Sequence, residues 1–396
     1  MTRREKASYM KHGLVALGIS ISGCMVLKLE RPLKVTEADW PTFGRVPAHS
    51  NVATDTISPP LTLEWEHDIT GSSGNGSPLV VDNIVIIGNL KGEVYAINAS
   101  TGKRIGWVDV GEAIQGSPYV DNNVVIVAAA NTRESLVMYD LLEGRTRWQR
   151  AYGDIEVSPV LYDNKIYFGN TEGIFYCVER SAGDMVWKFD IPENTTHKGI
   201  RSSPAAEGMI VVFGADDGSV YALDAAGGRL RWEISTNASI AASPSITNST
   251  VYVGNLGGVL HAIELQSGTL RWTFDAGASI YACPTIAPAA SSGFAEDLVI
   301  VGTTGGILYA LQQVDGTVVW RTNLGGVINS SAVVSGSVVY VGTLQKKLFG
   351  IRVRDGSVIW SLEMPGRIKT TPAVGNGRLI VATDDRLIVS LKQEAK

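Results

Sequence analysis

Residues 202–232 read SSPAAEGMIVVFGADDGSVYALDAAGGRLRW. Ser203-Pro204 opens the stretch and leads to an apolar run at 209–213. The Asp217-Gly218 turn follows, then an apolar run at 220–223, then Gly227-Gly228, and a last segment closes on Trp232. Asp-Gly and Gly-Gly between β-rich runs are hairpin signals, because glycine takes φ > 0 without a Cβ clash. Four short strands joined by three tight turns make one antiparallel sheet, the blade of a propeller.

The unit recurs. Its closing tryptophan returns at Trp65, Trp107, Trp148, Trp187, Trp232, Trp272, Trp320 and Trp360, at intervals of roughly 40–48 residues, the blade range. Its opening small-residue step returns at Ser77-Pro78, Ser117-Pro118, Ser158-Pro159, Ser203-Pro204, Ser243-Pro244, Cys283-Pro284, Ser331-Ala332 and Thr371-Pro372. The two series are offset: the first Trp precedes the first step, and no Trp follows the last. A closed ring requires that offset, with the strand ending at Trp65 completing the blade begun at Thr371. Closure removes the exposed edges that the alternative, an open β-solenoid, would leave. The expected fold is all-β, an eight-bladed propeller over 57–396 with Trp65 and its seven counterparts packed between blades.

The 43 glycines lie at repeat-locked positions and fit a turn-dense β chain. Net charge is −5; without residues 1–23, 30 basic and 38 acidic residues remain, a balance of −8. No basic block follows the N-terminus, so nucleic-acid binding by phosphate neutralisation is not expected. A monomer is. The first 23 residues have a basic start, an apolar stretch from Leu14 to Ile21 and a small-residue end, the pattern of a secretory signal peptide. The apolar run is far short of the roughly 20 residues of a spanning helix. Residues 24–56 read as a tether and entry segment, with a conspicuously apolar run at 25–29.

The residue two places before each opening step lies at the mouth of the central channel. The eight units place Asn75, Gln115, Glu156, Arg201, Ala241, Tyr281, Asn329 and Lys369 there. The preceding residue is isoleucine in seven of them (Ile114, Ile155, Ile200, Ile240, Ile280, Ile328 and Ile368), which secures the register. This mostly polar ring is the candidate recognition surface, the alternative being a solvated funnel; Arg201 is placed to pair with Glu156. Three loops break the repeat and are further candidates: 128–133, an insert at 192–197, and 287–297. Cys177 takes the slot held elsewhere by Ala, and Cys283 the Ser slot, so both read as small core residues. The five histidines show no metal-ligand spacing.

Several phrases carry a resemblance. Val251-Tyr252-Val253-Gly254, Tyr221-Ala222-Leu223-Asp224, Tyr95-Ala96-Ile97-Asn98 and Thr101-Gly102 resemble the repeat phrases of the pyrroloquinoline quinone (PQQ)-like propeller family, and residues 39–45, DWPTFGR, resemble its entry segment. Family members that are dehydrogenases use PQQ with Ca²⁺, a catalytic Asp and often a disulfide between adjacent cysteines. Here Cys24, Cys177 and Cys283 stand far apart and the mouth ring holds one carboxylate, Glu156. No catalytic residue, metal or cofactor is therefore expected. Ile21-Ser22-Gly23-Cys24 resembles a bacterial lipobox, which implies lipid on Cys24, and Met25 after it favours the periplasmic side of the outer membrane in a Gram-negative cell. With an eight-bladed propeller this resembles the BamB-type lipoproteins, and the resemblance implies a non-catalytic scaffold that docks on the outer-membrane β-barrel assembly machinery. A periplasmic ligand-binding or sensor propeller and a degenerate quinoprotein are the alternatives.

Overall fold

The four segments read in residues 202–232 are strands in the computed structural model, which describes residues 26–192 and 197–394. Ala205–Glu207, Ile210–Gly214, Ser219–Asp224 and Leu230–Ser235 pair antiparallel in that order. Local chemistry sets the turns. Gly218 has φ +86°, and the Asp217 carboxylate accepts from the Ser219 N–H at 2.8 Å and the Tyr221 hydroxyl at 2.6 Å. In the last turn the Asp224 carboxylate accepts from the N–H groups of Ala226 and Gly227 at 3.1 Å, and from Arg231 at 2.8 Å. Side chains that satisfy their own turn make each hairpin local and repeatable.

Seven such sheets follow the chain, at residues 79–109, 119–150, 160–190, 205–235, 245–275, 285–323 and 333–363, here blades 1–7. Blade 8 is composite: Ala373–Gly375, Arg378–Ala382 and Leu387–Gln393 take Leu61–Asp68 as their outer strand. The pairing runs from Leu61 opposite Gln393 to Asp68 opposite Leu387 and slips at Glu64, whose carboxylate accepts from Arg378 at 2.6 Å. The ring therefore closes as the offset of the two sequence series requires.

Two contacts repeat at the joints between blades. Six indole N–H groups donate to a carbonyl of the following blade: Trp65 to Ala99, Trp148 to Arg180, Trp187 to Ala225, Trp232 to Leu265, Trp272 to Gln313 and Trp320 to Val353, at 2.7–3.2 Å. The turn glycine of that following blade lies flat on the ring, so that a Cβ on Gly268 would meet Trp232 at 2.7 Å. Nearer the axis, the seven isoleucines are buried. Ile280 presses on Gly254 so closely that a Cβ would overlap it.

Blade 1 departs from the pattern. Trp107 sits one residue beyond the Trp slot, opposite Tyr95, and Gly106 takes the slot opposite Ala96. A Cβ on Gly106 would meet Leu27 at 2.8 Å, because the N-terminal stretch fills the joint that the missing indole leaves. Leu27 N–H donates to Trp107 O at 2.9 Å, Leu29 N–H to Leu141 O at 2.6 Å, and the Tyr139 hydroxyl to Leu27 O at 2.8 Å. This corrects two expectations: Trp107 is not equivalent to the other seven, and residues 26–56 are not a loose tether. Leu27, Leu29, Leu33 and Trp40 are all buried in the largest core cluster. The apolar run that made 25–29 unlike a linker is a strap, and the body begins at Val26 rather than at 57. Residues 1–23, read above as a signal peptide, and Cys24 lie outside the described residues.

Candidate functional site

Beyond the strap the chain turns into the channel and circles its axis. Trp40 exchanges backbone hydrogen bonds with Val80 in blade 1, and Pro41 O accepts from Val120 in blade 2. Pro47 O accepts from Ala206 in blade 4, Ala48 O from Ile246 in blade 5, Ser50 O from Ile286 in blade 6, and Asn51 O from Val334 in blade 7. Residues 40–53 thus satisfy inner strands that would otherwise expose unpaired backbone to the channel. Asp39 starts the path, accepting from Thr36 N–H at 2.6 Å and Asp82 N–H at 3.0 Å. His49 is fully buried, its Nδ1 2.9 Å from Pro244 O, and burial pushes its pKa down to about 4. Its ring stands edge-on to Phe43, centroids 4.9 Å apart.

This segment, the plug, contributes Phe43 to the wall of a cup at the channel mouth. All eight ring positions, Asn75, Gln115, Glu156, Arg201, Ala241, Tyr281, Asn329 and Lys369, line one cavity of about 380 Å³, with Phe43 among its lining residues. Below the ring runs a girdle of hydroxyls. The backbone N–H of six of the eight opening residues donates to the side chain of the next blade's: Ser77 to Ser117, Ser117 to Ser158, Ser158 to Ser203, Ser203 to Ser243, Cys283 to Ser331 and Ser331 to Thr371, at 2.6–3.2 Å. Among the described residues the girdle lacks two links: Ser243 to Cys283, where a thiol replaces the hydroxyl, and Thr371 to Ser77, whose hydroxyl is buried without a partner. Cys283 is a small buried residue as its slot implies, and burial pushes its thiol up to about 12, as it does that of Cys177.

The charges at the mouth differ from expectation. Arg201 does not pair with Glu156; its guanidinium binds Asp216, in the turn of its own blade, at 2.8 Å. On the opposite blade Lys369 lies 3.9 Å from Asp384, which also holds Arg367 at 2.5 Å. Asp216 and Asp384 occupy the same place in their units, so the rim carries two matching acid–base pairs that a ring of single positions does not reveal. Glu156 has no ion-pair partner among the described residues. The 128–133 loop reaches this rim, Asn131 N–H donating to Asp154 at 2.6 Å. Of the insert, residues 193–196 lie outside the described residues, while His197 and Lys198 border a side cavity shared with Glu156 and Arg201. The third loop follows an inner strand away from the mouth, so it opens on the opposite face, where Ala289–Ser292 forms one helical turn. Phe43 and the two rim aspartates are the lining and supporting groups that register reasoning missed; DWPTFGR carried the signal for Phe43 but showed only that an entry segment was present.

Among the described residues no cluster of three His, Cys, Asp or Glu side chains is disposed to hold a metal. PQQ with Ca²⁺ does not fit the cup. Ca²⁺ takes six to eight oxygen ligands, carboxylates among them, and Glu156 is the one carboxylate among the cavity's lining residues. The lone Cys283 has no adjacent cysteine to pair with.

A family model described as "Outer membrane protein assembly factor BamB" matches residues 61–201, 173–326 and 305–395, and the chain belongs to that family. It is 24% identical over 239 residues to the outer membrane protein assembly factor BamB of Yersinia pestis, covering 56% of each chain. It is also 24% identical over 218 residues to the dehydrogenase subunit of the quinone-type alcohol dehydrogenase of Gluconobacter oxydans, covering 50% of this chain and 25% of that one. The chain thus spans about half or less of the length of these relatives. The crystal structure of BamB from Moraxella catarrhalis superposes with a TM-score of 0.69 at 18% identity, covering 84% of this chain and 99% of that one. That likeness concerns the fold.

Proposed function

We propose that this protein is a non-catalytic scaffold of the cell envelope, lipid-anchored through Cys24 on the periplasmic side of the outer membrane, that assists assembly of outer-membrane β-barrel proteins. The observation that carries this reading is the family match, which runs from residue 61 to 395. The donor set of the cup supports it against the quinoprotein alternative. Affinity capture of the native protein from its own envelope tests it: a barrel-assembly protein recovered at near-stoichiometric yield is expected. Its absence, with the bait folded and membrane-bound, overturns the reading.

The cup favours one second reading, a small polar ligand held by Glu156, Arg201, Tyr281, Asn329 and Lys369. The amide oxygen of Asn329 is buried there without a hydrogen-bond partner. A ligand of the cup would raise the melting temperature by mass action, and Glu156→Ala with Lys369→Ala would abolish that rise. A scaffold docking elsewhere would be unaffected by the same pair.

A further inference from the structure

The strap fixes where a lipid on Cys24 would leave the propeller. Val26 bridges to Trp107 on the outer strand of blade 1, and Leu29 is bonded to Leu141 of blade 2. Between the last bonded residue and Cys24 stands Met25 alone. Two residue steps of extended chain reach about 7 Å. Acyl chains on that cysteine would therefore enter a bilayer within about 7 Å of the junction of blades 1 and 2, which rules out a body swinging on a long leash.

The surface at that junction differs from the rest of the outer rim. Two residues before the Trp slot, blades 3–8 present exposed apolar side chains: Met185, Leu230, Leu270, Val318, Val358 and Leu63. Blade 1 has Arg104 there, and blade 2 has Thr146 between Arg145 and Arg147. Lys28 on the strap lies against Gly144 between them. Arg147 is paired with Asp140, and Arg145 with Glu143. Lys28, Lys103 and Arg104 are exposed and make no ion pair among the described residues. Glu30 and Asp109 are exposed nearby, so the edge is mixed; yet its unpaired charges include three cations in a chain whose net charge is −5.

From the short exit and these charges we propose that the outer edge of blades 1 and 2 is the membrane-facing surface, lying against anionic phospholipid headgroups while blade 5, across the ring, points away. Basic side chains beside a lipid anchor bind anionic headgroups and supply the second signal that steadies attachment. The proposal rests on the lipoprotein reading of Cys24.

The test uses the full-length protein purified from membranes, its acylation first read from intact mass, and reconstituted in vesicles of mixed phosphatidylglycerol and phosphatidylethanolamine. A fluorophore is placed at Thr146→Cys on blade 2 or at Thr273→Cys on blade 5, since Cys177 and Cys283 are buried. A lipid-borne quencher should quench the first probe several-fold more than the second. Inserting about twelve Gly/Ser residues after Cys24, a leash of about 20 Å, together with Lys28→Glu and Arg104→Glu, should abolish the difference while acylation persists. Equal quenching at both probes on an acylated protein, or a difference that survives the leash and the reversals, overturns the orientation alone. An intact mass without acyl chains overturns the anchor and the orientation with it.

Discussion

Six links of the hydroxyl girdle run through backbone N–H groups, so Ser117, Ser158, Ser203, Ser243, Ser331 and Thr371 each satisfy a donor of the preceding blade. Ser158→Ala would leave the buried Ser117 N–H without its acceptor at 2.8 Å, a loss of about 1–3 kcal/mol. Urea unfolding of the variant should show it as a lower midpoint at unchanged slope. Cys283→Ser should act in the opposite sense. Its hydroxyl oxygen would offer the missing acceptor to Ser243 and a better one to the Asn51 amide N–H, which now donates to the thiol at 3.6 Å, for a gain of about 0.5–1.5 kcal/mol. A drop in midpoint would refute the girdle as the reason for serine in this slot. The sequence shows these residues as small and regularly spaced, and the isoleucine register picks out eight positions that line one cavity. It cannot show that Ser203 accepts from the blade before it, nor that Arg201 prefers Asp216 to Glu156, because both depend on how turns and neighbouring sheets are aimed. Repeat spacing fixes the strand positions but not that aim.

Strap and plug were hidden for a different reason. Periodicity marks strands, and residues 26–57 have none; their partners lie far away in the chain, as the Tyr340 hydroxyl donating to Ile57 O across 283 residues illustrates. The apolar Leu27 and Leu29 were the visible hint, and Gly106 in a tryptophan slot was the matching vacancy. Leu27 is fully buried, so Leu27→Ala should cost about 2–5 kcal/mol and open the strap to limited proteolysis ahead of the blades. A strap as resistant as wild type would refute its part in the joint. The plug also carries a pH dependence. His49 is buried neutral with its pKa lowered from 6.5 to about 4, while His67 and His261 are lowered too, in each case chiefly by burial. A histidine whose folded pKa is depressed binds more protons when unfolded, so stability is complete above the unfolded value and falls as pH drops from about 6.5 towards 4. For His49 the whole fall is on the order of 3 kcal/mol. Denaturant titrations between pH 7 and 5 should show midpoints decreasing, and His49→Gln should flatten most of that slope. An unchanged slope would place the effect in the other two histidines.

Across the whole molecule, seven blades form from contiguous chain and one does not. The ring is held shut by the pairing of Leu61–Asp68 with Leu387–Gln393, and Glu64 is its centre. The Glu64 carboxylate accepts from Arg378 at 2.6 and 2.9 Å and lies 3.8 Å from Lys392. Partial burial raises its pKa, but the Arg378 hydrogen bond and charge, with Lys392 and Ser390, outweigh that and hold it below the usual carboxylate range. The stability it supplies is therefore present above the ordinary glutamate pKa and is lost as pH falls through the lowered one. Glu64→Ala would strand Arg378, whose side chain is 11% exposed, at a cost of about 1.5–3 kcal/mol for a hydrogen bond between charged groups. Because blade 8 is completed by a strand from the far end of the chain and not by a hairpin, the loss should appear first as local opening. Native-state hydrogen exchange should report deprotection concentrated in 387–393, while the corresponding third strands, such as Ser219–Asp224 of blade 4 and Val259–Glu264 of blade 5, keep theirs. Uniform deprotection of all eight blades would mean that the ring opens only by global unfolding, and that closure is no weaker than any other joint.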